Sequence, residues 1–277
     1  MTYNMAGDGL MLEGILIRPL NEKKGQSYPL VVIVHDGPGA HYSNGWLTSC
    51  NELGQVAAAK GMAVFYPNYR GSTGYGVPFS TLNRKDAGGN EFYDLVDAVD
   101  YLVKTGLVDK KKVGVVGAGY GGYGANWCAT NYSHIFTAAA SLGGISDWIS
   151  CAGTTDSPQE KYHTLHHKWL WEDWEYFAKI SPIKHLDAAK TPLLLLHGKR
   201  DKRIDPSQSL ELYRHLKVRH QAPVRLVLYP DEGHMLERTA SRLDCNMRLL
   251  QWMEYYLKGP GNAVPPPEID HWLNKNP

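Results

Sequence analysis

The sequence predicts an α/β fold in which a mostly parallel sheet carries helices on both faces. Short apolar runs, many of them β-branched, alternate along the chain with longer stretches of helical periodicity. The apolar runs are continuous, which is typical of strands that are covered on both faces. Strands that alternate with helices favour parallel pairing through right-handed crossover connections.

The apolar runs are too short for buried helices, so each is assigned to a strand. The predicted strands are residues 29–34, 62–66, 112–116, 137–142, 192–196 and 224–229. The predicted helices are residues 50–61, 92–106, 122–132, 207–218 and 240–257.

The helix predicted at 92–106 has the clearest amphipathic pattern. One face collects six apolar side chains: Phe92, Leu95, Val96, Val99, Leu102 and Val103. We expect Asp94, Asp97 and Asp100 on the exposed face. Gly106 follows the pattern where a helix takes its C-terminal cap.

The chain has 277 residues, which allows one large domain or two small ones. No Gly/Ser-rich or Pro-rich linker divides it, so we predict a single domain over residues 1–277. Two segments stand apart. Residues 146–181 are aromatic and polar and too long for a plain connection, which indicates a lid or pocket wall. Residues 259–277 are predicted to form an extended surface tail.

Charge and composition exclude several classes of protein. Lys and Arg number 29 against 28 Asp and Glu, so no basic excess favours a nucleic-acid partner. No apolar run approaches the roughly 20 residues of a membrane span, and the N-terminus lacks the pattern of a signal peptide. Cys50, Cys128, Cys151 and Cys245 are scattered, which favours free thiols and a cytoplasmic location.

The segment from Gly117 to Tyr123 follows the strand at 112–116 and reads GAGYGGY. A strand, a Gly-rich turn and a helix form the nucleophile elbow, G-x-S-x-G. The middle residue is here Gly119, so we expect the turn to form without its nucleophile. Glycines at 117, 119 and 122 also match a dinucleotide fingerprint formally. No ribose-binding acid follows the next strand, so the elbow is favoured.

An acid and a histidine follow the next two strands. Asp201 comes after 192–196 and His234 after 224–229. An elbow, an acid and a histidine in this order are the triad order of the α/β-hydrolase fold. The acid would orient the imidazole, and the histidine would carry a proton. Asp205 and Asp231 remain alternatives for the acid, and His197 is expected to be structural.

The residues after the first two strands resemble oxyanion-hole segments. HDGPG at 35–39 can point a backbone N–H toward that of Tyr120. NYRGSTGYG at 68–76 follows the next strand. The alternative for both is Gly/Pro turn chemistry alone. The cluster His163, His166 and His167 has no carboxylate or cysteine at ligand spacing, so no metal or other cofactor is predicted.

Together these motifs resemble the catalytic domain of the prolyl oligopeptidase family, on its acylaminoacyl-peptidase-like branch. The matching stretches are VIVHDGPGAH, FYPNYRGSTGYG, VGVVGAGYGGYGANW, LLLLHGKRDKRIDPSQSLELYRHL and YPDEGH. The resemblance implies an α/β-hydrolase fold and cleavage of short peptides or acylated N-termini by a serine. It implies Asp201 and His234 as acid and base.

The same resemblance assigns further residues to the site. The N–H groups of Tyr120 and Gly37 would form the oxyanion hole, with the Tyr75 hydroxyl as a further contributor. Four residues are predicted to face the substrate: Asp36, Trp148, Trp169 and Trp171.

Three departures separate the sequence from this family pattern. Gly119 stands at the position of the serine, and Asp36 replaces a glycine of HGGP, which places a carboxylate beside the expected oxyanion hole. Relatives also carry a β-propeller before this domain, and no propeller pattern occurs here. Without the serine no acyl-enzyme can form; in a related triad its loss costs about 2 × 10⁶ in kcat.

Three functions remain open. The first is a non-covalent acid–base enzyme that uses His234 and Asp201 for water-directed hydrolysis or for lyase, isomerase or cyclase chemistry. The second is a serine peptidase or esterase deliberately inactivated at Gly119. The third is a non-catalytic binding protein on the same fold. The expected ligand is a small molecule or a short peptide or acyl group, and the aromatic segment is compatible with a homo-oligomer.

Overall fold

One sheet of eight strands organises the part of the chain described by the computed structural model, which is residues 2–4, 8–45, 47, 53–261 and 263–268. The strands are β1 (Thr2–Asn4), β2 (Met11–Ile17), β3 (Tyr28–Val34), β4 (Ala63–Asn68), β5 (Val108–Ala118), β6 (Ala138–Leu142), β7 (Leu193–Gly198) and β8 (Val224–Tyr229). Their order across the sheet is β1-β2-β4-β3-β5-β6-β7-β8. From β4 to β8 all neighbours are parallel, and β1 and β2 pair antiparallel at one edge.

The predicted α/β class and all six predicted strands are confirmed, as β3 to β8. The sequence reasoning missed β1 and β2. The first half of β2 alternates between exposed and buried residues, and Gly14 in its middle weakens the strand pattern. Gly14 is required by space, since a Cβ there would lie 2.1 Å from the Phe65 ring on β4.

Nine helices occur among the described residues: α1 (Gly54–Ala59), α2 (Val77–Ser80), α3 (Asn90–Lys104), α4 (Tyr120–Asn131), α5 (Trp148–Thr154), α6 (Pro158–Lys161), α7 (Trp174–Lys179), α8 (Ser207–Arg219) and α9 (Thr239–Lys258). The predicted helices correspond to α1, α3, α4, α8 and α9. The start predicted at residue 50 lies outside the described residues.

The polar face predicted for α3 is partly wrong. Asp100 is exposed, but Asp94 and Asp97 are buried. The carboxylate of Asp94 accepts hydrogen bonds from the backbone N–H and the guanidinium of Arg70, at 2.8 to 3.1 Å. The segment after β4 therefore packs against the acidic side of α3. The Gly106 prediction holds, because this residue follows the helix with φ of +80°.

Alternate residues of β3 serve two separate hydrophobic clusters. Leu30 and Val32 pack on the face covered by α3, α4 and α8. Val31 and Ile33 pack on the face covered by α1 and α9. Because both faces of the sheet are covered, β3 is a continuous apolar run. The same packing holds the sheet in place beneath the loops at the strand ends.

The two segments predicted to stand apart differ in structure, and residues 262 and 269–277 of the predicted tail lie outside the described residues. Residues 146–181 hold α5, α6 and α7 with two short helical turns, Tyr162–His166 and Leu170–Glu172. In the tail, residues 259–261 and 263–268 have no regular secondary structure, and the carbonyls of Pro266 and Pro267 accept hydrogen bonds from Arg225 and Arg248. Cys128, Cys151 and Cys245 are buried free thiols, and Cys50 lies outside the described residues.

Candidate active site

The elbow forms between β5 and α4, with Gly119 at the turn. Gly119 has φ of +55° and ψ of −119°, and its N–H donates to the Leu142 carbonyl at 2.9 Å. The flanking glycines are required by close packing. A Cβ at Gly121 would lie 2.1 Å from the Val34 carbonyl oxygen, and one at Gly117 would lie 2.1 Å from that of Gly121. The turn thus keeps the shape of a nucleophile elbow without a side chain at its tip.

The loops after β7 and β8 bring an acid and a histidine together. The Nδ1–H of His234 donates to Oδ2 of Asp201 at 2.8 Å. The other oxygen of Asp201 accepts from the backbone N–H groups of Arg203 and Ile204 at 2.9 and 3.0 Å. A carboxylate held at both oxygens fixes the plane of the imidazole, whose Nε2 faces the elbow.

The two aspartates considered as alternatives to Asp201 make their hydrogen bonds and ion pairs with other residues. Asp205 accepts from the backbone N–H of Ser207, and Asp231 pairs with Arg200 and Arg238. His197 is fully buried, with its ring nitrogens 2.7 Å from the Ser209 hydroxyl and 2.9 Å from the Ile204 carbonyl. These contacts agree with the structural role expected of His197.

Asp36 lies inside the predicted oxyanion hole. Its Oδ1 accepts from the N–H of Tyr120 at 2.6 Å and from the N–H of Gly37 at 2.8 Å. The sequence placed this carboxylate beside the hole, and the structure corrects that expectation. Both backbone donors predicted for a substrate oxyanion are occupied by a side chain of the protein itself.

Asp36 also fills the space of the absent side chain at the elbow. A Cβ built on Gly119 would lie 2.2 Å from Oδ1 of Asp36 and 2.5 Å from its Oδ2. No real Cβ tolerates such distances, so residue 119 must be glycine while Asp36 holds this position. The two departures from the family pattern are therefore sterically coupled, although the two residues lie far apart in the sequence.

Charge is concentrated around His234. Its Nε2 lies 3.7 Å from Oδ2 of Asp36, so the imidazole stands between two carboxylates. Partial burial opposes the charged ring, but Asp201 and Asp36 outweigh it and raise the pKa of His234 to about 9. His234 is therefore protonated at neutral pH.

The same contacts keep both carboxylates ionised. Burial opposes the charge of Asp36, but His234 and the N–H groups of Tyr120 and Gly37 lower its pKa below the usual range. Burial likewise opposes the charge of Asp201, and hydrogen bonds with His197 and His234 hold its pKa well below the usual range. The site is an imidazolium flanked by two carboxylates.

Comparison with known proteins agrees with this geometry. The sequence profile of the prolyl oligopeptidase family matches residues 48–260, which is most of the chain. This chain belongs to the prolyl oligopeptidase family.

Relatives within the family are peptidases. The chain is 39% identical to the uncharacterized peptidase YuxL of Bacillus subtilis over 84% of its own length, and 30% identical to the acylamino-acid-releasing enzyme of Rattus norvegicus over 90%. It superimposes on the acylaminoacyl peptidase of Pyrococcus horikoshii with a TM-score of 0.86 at 28% identity, covering 95% of this chain and 43% of that one. The chain spans about a third of the length of the two curated relatives, at 35% and 34%.

The Tyr75 hydroxyl, predicted to contribute to the oxyanion hole, is hydrogen-bonded to two other side chains. It accepts from Asn68 at 2.8 Å and donates to Glu13 at 3.2 Å, so its hydrogen bonds point to β4 and β2. The family resemblance alone suggested Tyr75. No sequence signal pairs Tyr75 with Asn68, which lies in the same 68–76 segment, or with Glu13 on β2.

Sequence reasoning missed Glu91, which contacts Tyr120, a residue predicted for the oxyanion hole. Glu91 is fully buried and accepts from the Tyr120 hydroxyl at 2.6 Å, from Asn83 at 2.7 Å and from the N–H of Gly88 at 2.9 Å. Burial raises its pKa to about 7 despite these donors. An acid in the first turn of an amphipathic helix gave no signal that it faces the core.

The three tryptophans predicted to face the substrate lie in different surroundings. Trp148 is 1% exposed and packs edge-on against Tyr123 and His166, so it is a core residue rather than an open contact surface. Trp148 and Trp169 line a small cavity within 146–181, which none of Asp36, Asp201 and His234 lines. Trp171 is 71% exposed and stacks on Trp169 at 5.1 Å.

Neither a membrane span nor a metal cluster occurs in the described part of the chain. Among those residues, no helix is long and apolar enough to cross a membrane. The same residues contain no group of three His, Cys, Asp or Glu side chains placed to hold a metal ion.

Proposed function

We propose that this domain is an acid–base hydrolase of the prolyl oligopeptidase family that works without a serine acyl-enzyme. The observation that carries the proposal is the position of His234, oriented by Asp201 and facing a carboxylate where the family pattern has its serine. This arrangement holds a charged proton donor at the elbow, which is what acid–base chemistry requires.

His234 is the group that moves protons. Because its pKa is about 9, it enters the reaction protonated and acts first as a general acid toward a leaving oxygen or nitrogen. Once it has lost that proton, it can accept one from water. Asp201 stabilises the charged ring and holds its orientation through both halves of the cycle.

The substrate is expected to be a small molecule or a short peptide or acyl compound, by analogy with the relatives. An oxyanion hole filled by Asp36 offers no free backbone donor to a substrate carbonyl. Peptide cleavage at the rate of a serine enzyme is therefore not expected, and we expect no covalent labelling by a fluorophosphonate probe.

The occupied oxyanion hole also favours a second candidate, a non-catalytic binding protein. Deliberate inactivation is a poorer explanation, because replacing one serine accounts for Gly119 but leaves Asp36 unexplained. The fit between Gly119 and Asp36 supports a site in which both residues belong together.

Hydrolysis of a panel of small esters, amides and epoxides separates enzyme from binding protein. We expect His234→Gln to lower turnover of an accepted substrate by about 100-fold or more, which is typical of losing a general acid–base group. The matched control is His134→Gln, at an exposed histidine outside the site, and it should retain full activity. Turnover that is absent, or equal in the parent and His234→Gln, would reject the acid–base function.

A further inference from the structure

We propose that Asp36 is a carboxylate nucleophile and that the substrates it attacks are epoxides. The proposal rests on the acid–base function of His234 and assigns the reacting group and the substrate class. Asp36 lies at the elbow, where the family pattern has its nucleophile, and within contact range of the imidazole that would serve it.

The two oxygens of Asp36 have different environments. Oδ1 is fixed by two backbone N–H groups, at 2.6 and 2.8 Å. Oδ2 faces His234 at 3.7 Å, which is longer than a hydrogen bond, and the side chain as a whole is 48% exposed. A carboxylate that is anchored through one oxygen and open at the other is preorganised for attack on carbon.

Attack by Oδ2 on a ring carbon of an epoxide gives a balanced first step. The new bond joins Oδ2 to carbon, and the carbon–oxygen bond of the ring breaks with its electron pair on oxygen. The proton of His234 Nε2 neutralises this alkoxide. The products are a hydroxyalkyl ester of Asp36 and a neutral imidazole, and the leaving oxygen stays attached to the same molecule.

Formation of the ester changes His234 from an acid to a base. The ester carries no charge, so one of the two carboxylates that raised the pKa of His234 to about 9 no longer does so. The neutral ring can then take a proton from water as the hydroxide attacks Cγ of the ester. His234 returns that proton to the departing alkoxide.

The backbone N–H groups of Tyr120 and Gly37 stabilise the charge that develops in this second step. When water adds to Cγ, negative charge develops on Oδ1, which already accepts from Tyr120 and Gly37. Collapse of this intermediate releases the alkoxide as a diol. The carboxylic acid that remains gives its proton to His234, so the net reaction is epoxide plus water to diol.

The same geometry argues against an acyl substrate for Asp36. Attack on a carbonyl carbon would create an oxyanion on the substrate, and both backbone donors at the elbow are occupied by Oδ1. Opening a strained ring at a saturated carbon forms no tetrahedral oxyanion at the attacked carbon, and the alkoxide that it does form needs one proton, which His234 supplies. Epoxides meet both conditions.

Isotope labelling of the unaltered protein tests the proposal directly. The chain is incubated in ¹⁸O-water with styrene oxide and with a set of alkyl epoxides, and the peptide containing Asp36 is analysed by mass spectrometry. We expect diol formation and ¹⁸O in the Asp36 carboxylate after many turnovers. In a single turnover, the diol should contain unlabelled oxygen taken from Asp36.

Two variants trap or remove the intermediate. His234→Gln removes the proton donor of ring opening and the base of ester hydrolysis. The ester on Asp36 should therefore form slowly, with water as the proton source, and persist as an adduct of one epoxide because it is not hydrolysed. Asp36→Asn should form no adduct and lose turnover by more than about 1,000-fold. Asp187→Asn, at an aspartate that is 94% exposed, is the matched control and should retain full activity.

The outcomes separate this proposal from the proposed function. Diol formation without ¹⁸O in Asp36 would overturn the nucleophile while leaving His234-dependent hydrolysis in place. Turnover of esters or amides that depends on His234, with no epoxide accepted, would have the same effect. If no turnover of any substrate depends on His234, both the Asp36 nucleophile and the acid–base function of His234 are rejected. The ¹⁸O labelling of the parent protein tests whether Asp36 is the nucleophile even if a variant fails to fold.

Discussion

At the scale of single residues, the site is governed by the contact between Asp36 and position 119. The Asp36 carboxylate fills the volume that a side chain at position 119 would need. It also accepts the hydrogen bonds of the two backbone N–H groups that a substrate oxyanion would need. Asp36 would be unfavourable together with a serine at 119, since the two side chains would collide. This coupling leads to two predictions about variants.

Restoring the serine alone is expected to fail. In Gly119→Ser, the new Cβ and the Asp36 carboxylate compete for the same space, and a carboxylate that stays beside the elbow opposes a developing oxyanion, so we expect little fluorophosphonate labelling. The double variant Asp36→Gly, Gly119→Ser removes the collision and frees both donors. It should label and hydrolyse small acyl esters at least about 100-fold faster than the single variant, since losing one oxyanion donor costs about 10²–10³ in kcat. Equal labelling of the single and double variants would contradict the coupling.

Removing the charge of Asp36 should make His234 less basic. Asp36→Asn preserves the side-chain size but leaves Asp201 as the one carboxylate facing the ring, so the pKa of His234 should fall from about 9 toward the usual value. NMR titration of the His234 ring in the parent and the variant measures the change, with the signal assigned by its loss in His234→Gln. An unchanged titration midpoint would show that Asp36 does not act on His234.

At the scale of elements, much of the fold could be predicted from the sequence. Strands β3 to β8 are continuous apolar runs because both faces are covered, and the loops at their ends carry Gly119, Asp201 and His234 in a readable order. The burial of Asp94 and the placement of Asp36 could not be predicted, because each depends on a partner from a distant segment. The Asp36 carboxylate accepts a hydrogen bond from the backbone N–H of Tyr120, which lies 84 positions further along the chain.

The elbow itself should be intolerant of any side chain at Gly121. A Cβ there would lie 2.1 Å from the Val34 carbonyl oxygen, so strand β3 and helix α4 would have to separate. Gly121→Ala should lower the free energy of unfolding by about 1–3 kcal/mol, the usual cost of overpacking. Urea denaturation measures it.

Gly153→Ala supplies the control for that substitution. Gly153 lies in α5, and nothing lies within 4 Å of the position of its Cβ. Alanine there should stabilise the protein by about 0.4–1 kcal/mol through the unfolded chain. If both alanine variants changed stability in the same direction, close packing at the elbow would not be the cause.

At the scale of the whole molecule, the sheet places three charged groups from separate loops at one end of its parallel strands. Asp36 follows β3, Asp201 follows β7 and His234 follows β8. The backbone that holds these loops therefore also holds one imidazolium between two carboxylates. Any change in that charge arrangement is coupled to the folding equilibrium of the chain.

The global stability should consequently depend on the protonation of His234. Its pKa is about 9 in the folded protein and about 6.5 in an unfolded chain, so the folded state binds the proton more tightly. The stabilisation is fully present below about pH 6.5 and is lost as the pH rises through 9. It amounts to at most about 3 kcal/mol.

Urea unfolding of the parent and of His234→Gln at pH 6 and pH 9.5 tests this coupling. The difference in unfolding free energy between the two proteins should be larger at pH 6 and shrink by about 2–3 kcal/mol at pH 9.5. Other groups titrate alike in both proteins and cancel in the difference. His134→Gln, at an exposed histidine, is the control for replacing a histidine outside the site. A His234→Gln difference that stays constant between the two pH values would mean that the two carboxylates do not hold a proton on His234.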